Sequence, residues 1–216
     1  MNKQEVIERI TRGGVLPVIR AESPEEAKAV IEAVRAGGID VIEVTMTVPG
    51  AVGLIRELSE QYGDEVLIGA GTVLDPETAA ACIDAGAKFI ISPALNLETV
   101  RFCSERDLVV MPGALTPTEV VTAWNAGADF VKVFPANAMG GASYLKSLKA
   151  PMPHIKLIPT GGVSQTTAAG FIKVGASAVG VGADLVDVQA IREGRPEAIT
   201  ESARKYLEIV KEARGN

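Results

Sequence analysis

The sequence has one histidine, His154, and that scarcity excludes a multi-histidine metal site. Standing next to a proline, His154 reads as a surface residue. The two cysteines, Cys82 and Cys103, have no metal-ligand spacing and fall in helical patterns, so they are expected to be reduced packing residues. Lys and Arg form no cluster, and the net charge of -6 with a pI near 5.0 disfavours binding to nucleic acid or an acidic membrane. No uncharged apolar run approaches the ~20 residues of a membrane span. The opening "MNKQEVIERI" lacks the apolar stretch of a signal peptide, so the chain is expected to stay in the cytoplasm. No G-x-G-x-x-G follows a strand, which weighs against a dinucleotide, and no cofactor or metal is expected. Nor is there a linker or low-complexity segment. Residues 1–216, at 47% hydrophobic and 22% charged, read as a single domain with a large core.

What the sequence does have is repetition. "AGGIDVIEVT" from Ala36, "DAGAKFIISPA" from Asp84, "NAGADFVKVFPA" from Asn125 and "KVGASAVGVGA" from Lys173 each pair a glycine-stopped helix end with an apolar, β-branched run. Four further runs lie between them: "VLPVIR" from Val15, "VLIGAG" from Val66, "LVVMPG" from Leu108 and "IKLIPT" from Ile155. Eight candidate strands thus start roughly 20 to 26 residues apart, separated by helical patterns. "SPEE" at Ser23, "DPET" at Asp75 and "TPTE" at Thr116 each put a capping oxygen before a proline and acid in the first turn. Apolar parallel strands, each followed by a helix, argue for a (β/α)8 TIM barrel. A helix over residues 1–14 would precede the first strand, and a helix over 190–213 would close the chain.

In such barrels the chemistry sits at the C-terminal ends of the strands. The polar residues there are Arg20, Glu43, Thr45, Thr47, Thr72, Ser92, Lys132 and Thr160. Lys132 lies among Phe130, Val131, Val133 and Phe134. Desolvating an ammonium costs several kcal/mol, so a buried lysine must reach the surface, find a partner or release its proton. A neutral amine is a nucleophile. Lys156 is a rival, but it stands nearer its strand's start, where it can reach solvent. Glu43, in "VIEVTMT", is the only carboxylate inside a predicted strand. Burial raises a carboxyl pKa and a nearby cation lowers it, so Glu43 beside Lys132 would make a general acid/base next to an amine. The alternative is a structural ion pair across the barrel.

Glycine supplies the second constellation. "PTGGVS" from Pro159 and "GVGADLV" from Gly180 leave backbone N–H groups free to meet an anion, and in barrels these two loops often bind phosphate.

The blocks "EVT" at Glu43, "GAGTVL" at Gly69, "ISPAL" at Ile91, "MPGALTPTE" at Met111, "KVFPAN" at Lys132 and "PTGGV" at Pro159 resemble one family. These are the aldolases that cleave 2-keto-3-deoxy-6-phosphogluconate (KDPG) and 4-hydroxy-2-oxoglutarate (KHG), and the resemblance runs from Val15 to Val186. It implies a metal-free class I aldolase in which Lys132 forms a Schiff base with the C2 ketone. Glu43 would take the C4 hydroxyl proton through a water. Thr72 would bind the pyruvyl carboxylate, Phe134 would pack against the imine, and Pro93 and Thr160 would complete the substrate site. Gly161, Gly162, Gly182 and Ala183 would line the phosphate site. The resemblance further implies a homotrimer acting on a small phosphorylated 2-keto acid.

Two positions depart from the family pattern. Thr47 stands where many members carry a carboxylate-binding arginine, and Arg20, closing the neighbouring strand, is expected to supply the missing charge. Ala183 replaces a serine of some relatives, which would shift preference toward unphosphorylated 2-keto acids. Rival readings are a phosphosugar isomerase or epimerase using Glu43 as a base, and a non-catalytic phosphate-binding barrel.

Overall fold

The computed structural model describes residues 1–215. Helix α1 (Lys3–Gly13) opens with a capping box, in which Asn2 accepts from the Glu5 N–H and Glu5 returns the bond to the Asn2 N–H. The strands are β1 (Val15–Ile19), β2 (Val41–Thr45), β3 (Leu67–Gly71), β4 (Phe89–Ile91), β5 (Val109–Met111), β6 (Gly113–Ala114), β7 (Val131–Val133), β8 (Leu157–Pro159) and β9 (Val179–Val181). Helices α2 (Pro24–Ala36), α3 (Ala51–Tyr62), α4 (Pro76–Asp84), α5 (Leu97–Ser104), α6 (Pro117–Asn125), α7 (Ala142–Lys149) and α8 (Ala168–Lys173) alternate with them. All eight anticipated strand runs are strands, with β6 an extra segment cut from β5 at Pro112.

The punctuation explains the alternation. Ser23, Asp75 and Thr116 each cap a helix that begins with proline, as the sequence suggests. At the other ends Gly38, Gly86, Gly127 and Gly175 all have φ between 98° and 103°, where a side chain would be strained. The next residue's N–H then turns back to a carbonyl five residues earlier, as in Ala87 to Cys82 at 3.0 Å. That repeated turn feeds the chain straight into the following strand.

Every strand pair is parallel. One curled sheet has the order β5-β4-β3-β2-β1-β9 and a second has β6-β7-β8. The two sheets are joined covalently through Pro112. They are also joined by the Ser177 N–H to Leu157 carbonyl bond of 2.9 Å and a parallel bridge between Thr160 and Gly180.

Strand alternation sorts the apolar residues into two layers. One face carries Leu16, Val41, Leu67, Phe89, Phe130 and Ile158, packed with Val6, Ile7 and Ile10 of α1, which covers the N-terminal ends of the strands. The opposite face buries residues such as Ile19, Val44 and Val131 under the helices. Each fully buried side chain of this kind contributes roughly 1.5–3 kcal/mol. Cys82 and Cys103 sit in the helical layer as free thiols, and burial pushes both up to about 11.

The C-terminal helix differs from expectation. Instead of one helix over 190–213, the chain forms α9 (Val188–Arg192) and α10 (Pro196–Ala213). Gly194 at φ 69° turns the chain, the Arg195 N–H closes on the Ala190 carbonyl at 2.8 Å, and Pro196 starts the new helix.

Candidate active site

The side-chain parity that buries Val41, Leu67 and Phe130 in the inner layer carries Glu43, Gly69 and Lys132 one step, and Gly71 two steps, toward the strands' C-terminal ends. Val18 pairs with Glu43 on one side of β2, Gly69 pairs with it on the other, and Lys132 pairs with Gly113 and Ile158. Lys132 Nζ stands 3.6 Å from Glu43 Oε1, with the side chains only 6% and 1% exposed. This is ion-pair distance, beyond a hydrogen bond, and Oε1 has no hydrogen-bond partner among the described residues. Burial pushes the Glu43 carboxyl above the ordinary carboxylate range, while the charges of Lys132 and Arg20 oppose that push without cancelling it. A carboxyl in this state can take a proton and return it beside an amine.

A cavity of about 630 Å³ is lined in part by Val18, the β1 neighbour of Glu43, and by Arg20, Phe134 and Thr160, while Lys132 and Glu43 themselves do not line it. Its far wall is made by Gly161, Gly162, Gly182 and Ala183. The Phe134 ring centre is 5.5 Å from Lys132 Nζ, and Phe134 also lines the cavity. A Cβ on Gly180 would meet Thr160 Oγ1 at 2.2 Å, so that glycine lets β8 and β9 close together beneath the loops.

The family model "KDPG and KHG aldolase" matches residues 6–202. The chain belongs to the KDPG and KHG aldolase family. It is 34% identical to the KHG/KDPG aldolase of Escherichia coli K12 over 202 residues, covering 94% of each. It is also 35% identical to the 2-dehydro-3-deoxy-6-phosphogalactonate aldolase of the same organism over 201 residues, 93% of this chain and 98% of the other. Among solved structures, it resembles the KDPG aldolase of Legionella pneumophila, captured at low pH with pyruvate as a covalent carbinolamine intermediate. That match has a TM-score of 0.85 at 32% identity and covers 92% of this chain and 96% of the other.

Within the family frame, the fold brings Lys132 and Glu43 together and gathers Arg20, Phe134, Thr160, Gly161, Gly162, Gly182 and Ala183 around the cavity. Thr47, Thr72 and Pro93 do not line it. Thr47 is exposed, with its hydroxyl 2.6 Å from Thr45 Oγ1, which also donates to the Ile19 carbonyl. Thr72 follows β3 at φ 60°, a left-handed conformation that costs a non-glycine residue on the order of 1–3 kcal/mol and is concentrated at functional sites. Pro93 is half-buried. Lys156 precedes β8 with Nζ 5.5 Å from the Phe130 ring centre, at the opposite end of the strands from the cavity. His154 is exposed and stacks edge-on against Trp124.

Sequence reasoning missed Gly71, Asp184 and Asp187. The two aspartates line the cavity. A Cβ on Gly71 would stand 2.0 Å from Glu43 Oε1 and 2.6 Å from its Cδ, so the carboxylate occupies the space a side chain there would fill. The strand parity of "GAG" was the available signal. Gly71→Ala is expected to displace Glu43 and lower kcat for aldol cleavage about 100-fold, in protein with unchanged circular dichroism. An unchanged kcat would show that the carboxylate needs no fixed position.

Proposed function

We propose that this chain is a class I aldolase that cleaves KDPG to pyruvate and glyceraldehyde 3-phosphate, and KHG to pyruvate and glyoxylate. The observation that carries the reading is the buried pair of Lys132 and Glu43 at 3.6 Å, with a carboxylate oxygen that has no hydrogen-bond partner among the described residues.

The Lys132 amine attacks the C2 ketone, and loss of water leaves an iminium. Glu43 takes the C4 hydroxyl proton, the C4 oxygen becomes the aldehyde carbonyl, and the C3–C4 electron pair moves onto the iminium nitrogen to give an enamine. After the aldehyde leaves, Glu43 returns the proton to C3. Water then hydrolyses the imine, releasing pyruvate and restoring the amine. Phe134 excludes water from the imine, and the N–H groups of the Gly161–Gly162 and Gly182–Ala183 loops receive the phosphate. Thr72 orients the pyruvyl carboxylate, and Pro93 and Thr47 meet the same end of the substrate, all three from outside the cavity lining. Neither metal nor cofactor enters.

The sheets close into one eight-stranded (β/α)8 barrel, with β5 and β6 as a single strand interrupted at Pro112, supported by the Thr160 and Gly180 bridge. Residues 1–215 form one domain, expected over 1–216, of which residue 216 lies outside the described residues, and the family resemblance supports a cytoplasmic homotrimer.

Incubation with pyruvate and borohydride tests the chemistry. A reduced pyruvyl adduct on Lys132, found by intact mass and peptide mapping, is expected; no adduct at saturating pyruvate would favour an isomerase or a binding protein. The same assay tests Arg20, which lines the cavity and acts electrostatically on Glu43. If its guanidinium supplies the cation missing at Thr47, Arg20→Ala raises the pyruvate concentration for half-trapping by about 10-fold or more, as for a lost charge-assisted hydrogen bond. An unchanged half-trapping concentration would return the carboxylate to the Thr72 side alone.

A further inference from the structure

The cavity assigned to the substrate's phosphate is lined by two carboxylates, Asp184 and Asp187, against one arginine, Arg20. Two acids beside a dianion oppose binding unless something restrains them. Both are restrained by groups outside the cavity lining. Asp187 Oδ1 accepts from the Ala190 N–H at 3.1 Å as the cap of α9. Asp184 Oδ1 accepts from the Gln165 N–H at 3.2 Å and from the hydroxyl of Tyr206 on α10. Gln165 Nε2 lies 3.1 Å from Ser202 Oγ, also on α10. One carboxylate oxygen therefore joins the loop after β9, the loop after β8 and the C-terminal helix.

Tyr206 is wholly buried in the helical layer, where a phenol needs a partner, and Asp184 is the partner it has. We propose that Tyr206 is a positioning residue for the phosphate end of the substrate: its hydroxyl holds the Asp184 carboxylate toward α10 and keeps that charge from turning onto the bound phosphate. The inference rests on the aldolase reading above. It makes α10, which supplies no residue to the cavity lining, a determinant of tail specificity.

The test compares KDPG with KHG, which has no phosphate, in Tyr206→Phe. The KM for KDPG is expected to rise about 10-fold, the effect of losing a hydrogen bond to a charged group, while kcat, the KM for KHG and pyruvate trapping on Lys132 stay near wild type. Adding Asp184→Asn removes the freed charge, and Tyr206→Phe/Asp184→Asn recovers most of the KDPG affinity. Equal losses on both substrates, or no recovery in the double variant, would make Tyr206 a packing residue and overturn the inference. If Tyr206→Phe shows no cooperative thermal transition, Asp184→Glu replaces it. That change lengthens the carboxylate by one methylene at an exposed position, and it must give the same KDPG-selective rise in KM. Wild-type protein that fails to trap pyruvate would defeat the aldolase reading, separately from this one.

Discussion

Replacing Lys132 with methionine is expected to lower KDPG cleavage by on the order of 10⁴-fold or more and to abolish the borohydride-trapped pyruvyl adduct. Methionine preserves the length of the buried side chain but removes the nitrogen on which both the imine and the electron sink depend. Single-turnover assays and intact mass measure the two effects. An adduct persisting in Lys132→Met, mapped to Lys156, would keep the chemistry and move the site to the other end of the strands.

The same variant has a thermodynamic signature. Removing one partner of a buried pair costs about 3–5 kcal/mol when the other stays charged. Glu43 already has its carboxyl raised by burial, and loss of Lys132 removes an opposing cation, so it rises further. A group raised in the folded state contributes stability that is fully present below its unfolded pKa and is lost as pH rises through the folded value. Urea midpoints for Lys132→Met should therefore approach wild type in acid and fall behind it as pH increases. A gap independent of pH would mean that Glu43 does not titrate against Lys132.

Glu43→Gln is expected to reduce kcat by about 10²- to 10⁴-fold, the usual contribution of a positioned acid/base. Glutamine keeps the shape above Gly71 and can neither accept the C4 proton nor return it. Adduct formation should survive better than cleavage, because the lysine is intact. Since Glu43 must be ionised to accept the proton, wild-type kcat should fall on the acid side with a midpoint above the ordinary carboxylate range, and Glu43→Gln should lose that limb. A pH–kcat profile checks both statements, and an acid limb that persists unchanged in Glu43→Gln would assign the base elsewhere.

Much of this was legible in the sequence because it depends on local chemistry. Proline after Ser23, Asp75 and Thr116, and glycine at 38, 86, 127 and 175, set helix starts and stops within a few residues of one another. Lys132 and Glu43 stood out because a charge inside an apolar strand has few other uses. The break at Gly194 was hidden by apolar residues that keep a helical spacing across it, Ile191 with Ala198 and Ile199, all packed in or against the core. Tyr206 and Asp184 are 22 positions apart and lie in patterns that read as ordinary core and ordinary surface. Their bond exists only once α10 is laid against the β8 and β9 loops, so no spacing rule announces it. Gly71 was ambiguous for a different reason: glycine at a strand end suits a turn as well as it suits a neighbour's carboxylate.

The layer that holds Lys132 and Glu43 includes Val18 and Ile158, and also Gly71, Gly113 and Gly180, where an added Cβ would strike Glu43, the Pro93 carbonyl and Thr160. Side chains are thus left out where neighbouring groups already take the space, so that a buried amine and carboxylate fit into an otherwise apolar interior. Replacing a buried ion pair by apolar residues of similar volume is often neutral or stabilising, by about 1–4 kcal/mol. A lineage of this fold released from catalysis would have that gain within reach by making positions 43 and 132 apolar while the glycines stayed. Silent descendants of the enzyme would be sturdier than the enzyme itself, and the buried charge pair between the strands is a standing record of selection for turnover.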